Sequence, residues 1–246
     1  MKNKHHIIRA LGLILLSLGA LFGTLYAGAA IWGNWEAFQF DIPAAFRSDK
    51  TLPTLRCPTL ITTGENGTVS VEIKNPTNDS LRRTVRIHIS EGDILAMREF
   101  TEQVSLGPGE SRRLAWEVFP QDRVFDLFIL VRVYLPAKYP LPSEDATCGI
   151  MVLDLPSLRG RDITAFLIIA SLAGMALGVV LSGRWLREAA PKLREAVSSA
   201  RGVVVFVLIA MLAAAFRWLW LGTIALVLVI LLTVITVLRY TQSSTG

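Results

Sequence analysis

Residues 10–35 read ALGLILLSLGALFGTLYAGAAIWGNW, a run without a charge that closes on Trp32 and Trp35. A helix crossing a bilayer needs about 20 mainly apolar residues, and this run exceeds that length. Two further features repeat the signal downstream. Ile163–Gly183 is a second apolar stretch, and Gly202–Leu238 is a third, 37 residues long. As one helix the last would extend about 55 Å at 1.5 Å per residue, too long for a hydrocarbon core of about 30 Å. Arg217-Trp218-Leu219-Trp220 sits near its middle. We therefore expect a turn there and two spans, which makes four in all. Ala27-Gly28-Ala29 also resembles a signal-peptidase site, so the first run can be read as a cleaved leader or as an anchor. Its length and the tryptophans behind it favour the anchor.

Between these runs lies a polar segment of ordinary globular composition carrying both cysteines, Cys57 and Cys148. From Cys57 to Leu155 there are 10 Lys/Arg against 14 Asp/Glu, a balance of −4. The whole chain carries +5, so the remainder carries +9. Much of that excess flanks the apolar runs, at Lys2, Lys4 and Arg9 and again at Arg184, Arg187, Lys192, Arg194 and Arg201. Basic flanks stay in the cytoplasm. The expected topology is a multi-pass protein of the cell (plasma) membrane with both termini cytoplasmic and the polar segment outside. Basicity confined to such flanks argues against a nucleic-acid partner. An oxidising exterior would let Cys57 and Cys148 form a disulfide. Trp32, Trp35, Arg217, Trp218 and Trp220 are expected as anchors at the outer interface.

Within the polar segment, apolar residues alternate with polar ones in short runs. Val69, Val71 and Ile73 form one such set, Val85, Ile87 and Ile89 a second, and Leu114, Trp116 and Val118 another. Phe100–Leu106 and Cys148–Leu155 add strands, and Val124–Leu135 is apolar at nearly every position, as a strand covered on both faces would be. Turn residues separate the runs at Asn75-Pro76-Thr77-Asn78-Asp79 and Gly107-Pro108-Gly109. Six or seven strands without a helical period predict an antiparallel β-sandwich. The expected organisation is an anchor over 1–35, a linker over 36–56, the sandwich over 57–156, a span over 162–183, a basic cytoplasmic loop over 184–200, a helical hairpin over 201–240 and a cytoplasmic tail over 241–246.

Gly67-Thr68-Val69-Ser70-Val71-Glu72-Ile73-Lys74-Asn75 and Leu106-Gly107-Pro108-Gly109-Glu110-Ser111 resemble the pattern of CARDB-type and related immunoglobulin-like adhesion domains. In those domains a strand ending in Asn enters a turn, and a Pro-Gly-Glu turn opens a later strand. The resemblance covers about two-fifths of the chain. It implies an immunoglobulin-like fold and extracellular scaffolding, and it assigns no binding residues. The fold class expected is thus an α-helical membrane protein of four spans with an all-β immunoglobulin-like sandwich.

Candidate chemistry is sparse. His88 falls on the polar side of a strand and is expected to be exposed. Glu65 with Glu72 and Asp122 with Asp126 are the acidic pairs open to acid–base or calcium chemistry, but they lack the spacing of a calcium loop. No catalytic residue, metal site, cofactor or small-molecule substrate is assigned. Asn66-Gly67-Thr68 and Asn78-Asp79-Ser80 match glycosylation acceptors. Gly19 with Gly23 and Gly174 with Gly178 repeat the four-residue spacing that lets helix backbones approach, so they are expected to pack the first two spans together. The partners expected are the lipid bilayer and a protein of the membrane or envelope. The function expected is non-enzymatic presentation of the outer domain for protein–protein interaction or scaffolding. An accessory subunit of a transport or signalling complex is the alternative, and a membrane enzyme the remote third.

Overall fold

The computed structural model describes the backbone of residues 2–41, 48–183 and 191–244. Side chains are described over 10–41, 48–92, 96–181 and 201–238. The basic flanks Lys2, Lys4, Arg9, Arg184, Arg187, Lys192 and Arg194 lie outside the described side chains, as does the tail from 239 onward. Contacts divide the chain into two compact units, Met1–Ile31 with Thr164–Gly246 and Trp32–Ile163.

Four helices are described: α1 (Lys2–Gln39), α2 (Gly160–Gly183), α3 (Pro191–Phe216) and α4 (Leu219–Ser244). Three contain segments long and apolar enough to cross a membrane, namely Ala10–Gln39, Gly160–Leu181 and Leu219–Leu238. The apolar part of α3, Arg201–Phe216, is shorter. At 1.5 Å per residue it reaches only about 24 Å. The backbone of α3 is helical from Pro191, where the sequence reading placed a loop to residue 200. Proline suits the first helical position because its missing N–H has no partner there. Lys192-Leu193-Arg194-Glu195-Ala196 are good helix formers. The helix ends at Arg217, whose φ of 60° puts it in the left-handed region. There the Trp218 N–H reaches the Ala213 carbonyl at 2.8 Å and satisfies a helix-end acceptor.

The second unit contains eight strands: β1 (Lys50–Thr51), β2 (Leu60–Thr62), β3 (Gly67–Lys74), β4 (Leu81–Glu91), β5 (Asp93–Leu106), β6 (Ser111–Val118), β7 (Phe128–Leu135) and β8 (Glu144–Leu153). One sheet has six strands in the order β1-β8-β7-β4-β5, with β2 also on β8, and the other is the β3–β6 pair. Because β1 and β2 run parallel to β8, the larger sheet is mixed, not wholly antiparallel as the sequence reading expected. These are pieces of two and three residues that cover the free edge of β8 on either side of Cys57. They are too short to show an alternation. Short edge strands limit unwanted pairing with other chains.

Inward residues of both sheets share one core: Val69, Val71 and Ile73 of β3, Leu114, Trp116 and Val118 of β6, and Val85, Ile87, Ile89, Ile129, Val131, Val133 and Ile150 of the larger sheet. Cys148 belongs to this core and is bonded to Cys57 across a Cα–Cα distance of 6.5 Å. The cover on both faces of β7 has a physical source. Its Ile129, Val131, Val133 and Leu135 enter the shared core, while Phe128 and Leu130 pack on the other face with Ala37, Phe40 and Val124. The end of α1 therefore roofs the sheet, and α1 runs past the boundary at residue 35 that the sequence suggested.

The turn motifs behind the CARDB resemblance meet in space. Asn75, fully buried, donates from Nδ2 to the carbonyls of Asp79, Leu106 and Gly107, and its Oδ1 accepts from Thr77. The Glu110 carboxylate accepts from the Gly107 N–H at 2.6 Å. One amide thus ties the β3–β4 turn to the β5–β6 turn, leaving none of its four hydrogen-bonding positions idle.

Candidate functional site

The outer face of the larger sheet carries a row of polar side chains beneath the end of α1. In register, Glu99 of β5, His88 of β4 and Arg132 of β7 stand opposite one another. His88 is not the exposed strand residue expected, since its side chain is only 17% accessible. Its Nδ1 lies 2.6 Å from Asp41 Oδ2, and its Nε2 lies 3.6 Å from Glu99 Oε1. Asp41 reaches it by turning left-handed at φ 53° just past α1.

Arg132 is 1% exposed. Its guanidinium donates to Asp145 at 3.0 Å and to the Phe38 carbonyl in the last turn of α1 at 3.1 Å. A cation is favoured at that end of a helix, where carbonyls lack partners. Burial pushes the Arg132 guanidinium below its usual range, and Asp145 and Asp41 pull it back up. His88 and Arg132 are tied to Asp41, Asp145 and the helix end, while among the described residues His88 Nε2 and Arg132 Nε stay without a hydrogen-bond partner. Their chemistry is that of a clamp joining Phe38–Asp41 to the sheet.

The acidic pairs are separated. Asp122 is buried and accepts from Arg98 and from the Phe119 N–H, whereas Asp126 is exposed beside Arg123. Burial pushes the Asp122 carboxyl up, opposed by the Phe119 N–H and Arg98. Glu65 accepts from the N–H groups of Thr62 at 3.1 Å and Gly160 at 2.5 Å, so it caps the first turn of α2, while Glu72 points to solvent from β3. Among the described residues no three His, Cys, Asp or Glu side chains converge as a metal site.

A shallow cleft of about 360 Å³ is lined by the segment before β2, by β3 and β6 and by the start of α2. Arg56, Arg113 and Arg161 line it together with Cys57, Glu65 and Thr68. Arg113 donates to Ser70 at 2.8 Å, which fixes its direction, and Arg56 is held by backbone pairing with Ser70. The three arginines are exposed and, among the described residues, none forms an ion pair with a carboxylate. Sequence reading missed this grouping because positions 56, 113 and 161 share no local motif. Asn66 also lines the cleft, and Asn78 is exposed in the β3–β4 turn.

Gly19 lies on the backbone of α2: a Cβ there would stand 2.5 Å from Met175 N and 2.8 Å from the Ser171 carbonyl. At Gly174 it would meet the Leu15 carbonyl at 2.9 Å, and at Gly178 the Leu16 Cβ at 2.5 Å. Gly23 faces Ser171 and Val207, so it touches α3 as well as α2. Trp32 packs edge-on against Phe128 and donates to Glu36 at 2.9 Å, and Trp35 stands edge-on to Phe38. Trp218 stacks with Phe216 beside Arg217, and Trp220 is 71% exposed.

No protein-family model matches the chain, and no curated protein matches it. Solved structures do. The CARDB domain of a Pyrococcus furiosus protein aligns over 41% of this chain and 90% of its own, at 16% identity and a TM-score of 0.32. A cycloisomaltooligosaccharide glucanotransferase of Paenibacillus sp. aligns over 42% of this chain and 14% of its own, at 13% identity and a TM-score of 0.32. A β-glucosidase of Listeria innocua aligns over 41% of this chain and 16% of its own, at 18% identity and a TM-score of 0.28. The resemblance to CARDB domains is weak and lies at the level of the fold.

Proposed function

We propose that this chain is an integral membrane protein of four spans that presents an extracytoplasmic, immunoglobulin-like β-sandwich for protein–protein interaction in a membrane complex. The observation that carries the reading is the Cys57–Cys148 bridge, set in a domain that two membrane-length apolar helices bracket in the chain. A disulfide persists in an oxidising compartment, and the Lys/Arg of the flanking segments, which favour the cytoplasm, point to the same side. The core shared by the inward residues of the β3–β6 pair and of the larger sheet supports the sandwich reading. Four spans follow if α3 enters the bilayer beside α4, with Arg217 and Trp218 at the turn where interfacial residues are favoured. Buried Arg132 and Asp122 each hold at least two internal partners, which supports a structural role for them in a binding module.

The test has two parts. After reduction, a membrane-impermeant thiol reagent should label Cys57 in intact spheroplasts. Labelling only after lysis would refute the topology. The full chain, extracted in mild detergent, should retain a stoichiometric protein partner. Migration as a bare micelle-bound monomer would count against the scaffold role.

A further inference from the structure

We propose that the cleft lined by Arg56, Arg113 and Arg161 binds the phosphate of an anionic phospholipid headgroup. The inference rests in part on the membrane-spanning reading above, because Arg161 stands two residues before the apolar run that opens at Ile163. A headgroup of that bilayer would be the nearest abundant phosphate.

Three arginines reach one cleft from separate parts of the fold: the strand-edge segment at Arg56, β6 at Arg113 and the first turn of α2 at Arg161. Guanidinium groups present paired N–H donors that match phosphate oxygens. The one carboxylate in the cleft, Glu65, cannot neutralise them freely, since one of its oxygens is held by the Thr62 and Gly160 N–H groups. Glu72 stands opposite Arg113 in the ladder but does not line the cleft. The net charge of the lining is therefore positive by two. Thr68 adds an exposed hydroxyl and Pro58 a half-buried apolar edge.

The experiment uses the full chain in a zwitterionic detergent, titrated with dioctanoyl phosphatidylglycerol, dioctanoyl phosphatidylcholine and inorganic phosphate by calorimetry at low and at moderate salt. Saturable binding of phosphatidylglycerol is expected, weakened by salt and absent for phosphatidylcholine. The Arg56→Ala/Arg113→Ala variant should bind roughly 20- to 30-fold more weakly, taking about one kcal/mol for each arginine. Arg161→Ala, which leaves the strands untouched, should weaken binding roughly fivefold and decides the matter if the double variant fails to fold. Equal affinity of the variants and the parent, or no binding of phosphatidylglycerol, overturns the site. Binding of inorganic phosphate as tight as that of the lipid overturns the lipid source. None of these readings depends on which side of the membrane the domain occupies, so failure here and failure of the topology are separable.

Discussion

Replacing Gly149 by alanine probes the joint between α1 and the sheet. A Cβ built on Gly149 would stand 1.8 Å from the Gly33 carbonyl oxygen and 2.7 Å from its Cα. Ordinary contact begins near 3.4 Å. The helix must therefore withdraw by about 1.6 Å, because the obstacle is backbone and cannot rotate away. A gap of even 1 Å forfeits up to about half of the dispersion attraction between facing atoms. The seam that opens contains Ala37, Phe40, Phe128 and Leu130, all 5% exposed or less. Opening it should cost roughly 3–4 kcal/mol, comparable to emptying one large core position. At roughly 2–4 °C per kcal/mol for a chain of this size, the midpoint of thermal unfolding should fall by about 6–16 °C. Far-ultraviolet circular dichroism of the detergent-solubilised protein would follow it. Gly28→Ala is the matched control on the same helix, since a Cβ there meets nothing within 4 Å. It should leave the midpoint level or raise it slightly. A Gly149→Ala protein that unfolds within about 1 °C of the parent would refute the close approach, because alanine in a strand is otherwise favoured over glycine.

Reducing the bridge that spans 91 residues should destabilise the domain by up to about 4–5 kcal/mol, read as a lower denaturant midpoint with and without reductant. Arg132→Met should cost roughly 3–5 kcal/mol, since it strands the Asp145 carboxylate and the Phe38 carbonyl, and a loss below about 1 kcal/mol would show that the clamp is idle. Asp49 accepts from the Ser143 hydroxyl and N–H, which hold its carboxyl below the usual range. Its contribution is therefore present above the unfolded carboxylate pKa and lost as pH falls through the folded one, so Asp49→Asn should flatten the acid limb of the stability profile. Gly174→Leu should lower the unfolding midpoint through its clash with the Leu15 carbonyl, and unchanged stability would exclude close α1–α2 packing.

The apolar runs and the long strands could be read from the sequence because both signals are local. Length and composition mark Ala10–Gln39, and alternation marks Val69–Ile73. What escaped was set by distant partners. β1 and β2 are too short to carry a period. The extension of α1 to Gln39 was hidden by Asn34 and Glu36, whose polarity imitates an exit into water. His88 follows the polar half of its strand's alternation and reads as solvent-facing until Asp41 and the helix end arrive from another part of the chain. Arg132 interrupts the apolar run of β7, and only the Phe38 carbonyl and Asp145 explain how a guanidinium can sit there. The cleft arginines come from three regions with no common spacing, and no local rule could have joined them.

The contact between Gly33 and Gly149 acts as a key in a slot. Neighbouring helix positions are offset by about 100°, and the residues on either side of Gly33 are the bulkier Trp32 and Asn34. Only one azimuth of this segment therefore lets its backbone settle on β8, and sliding it by one position would drive a side chain into the Gly149 backbone. Torque applied to residues 33–40 would be resisted by steric interlock instead of being absorbed by a soft hinge.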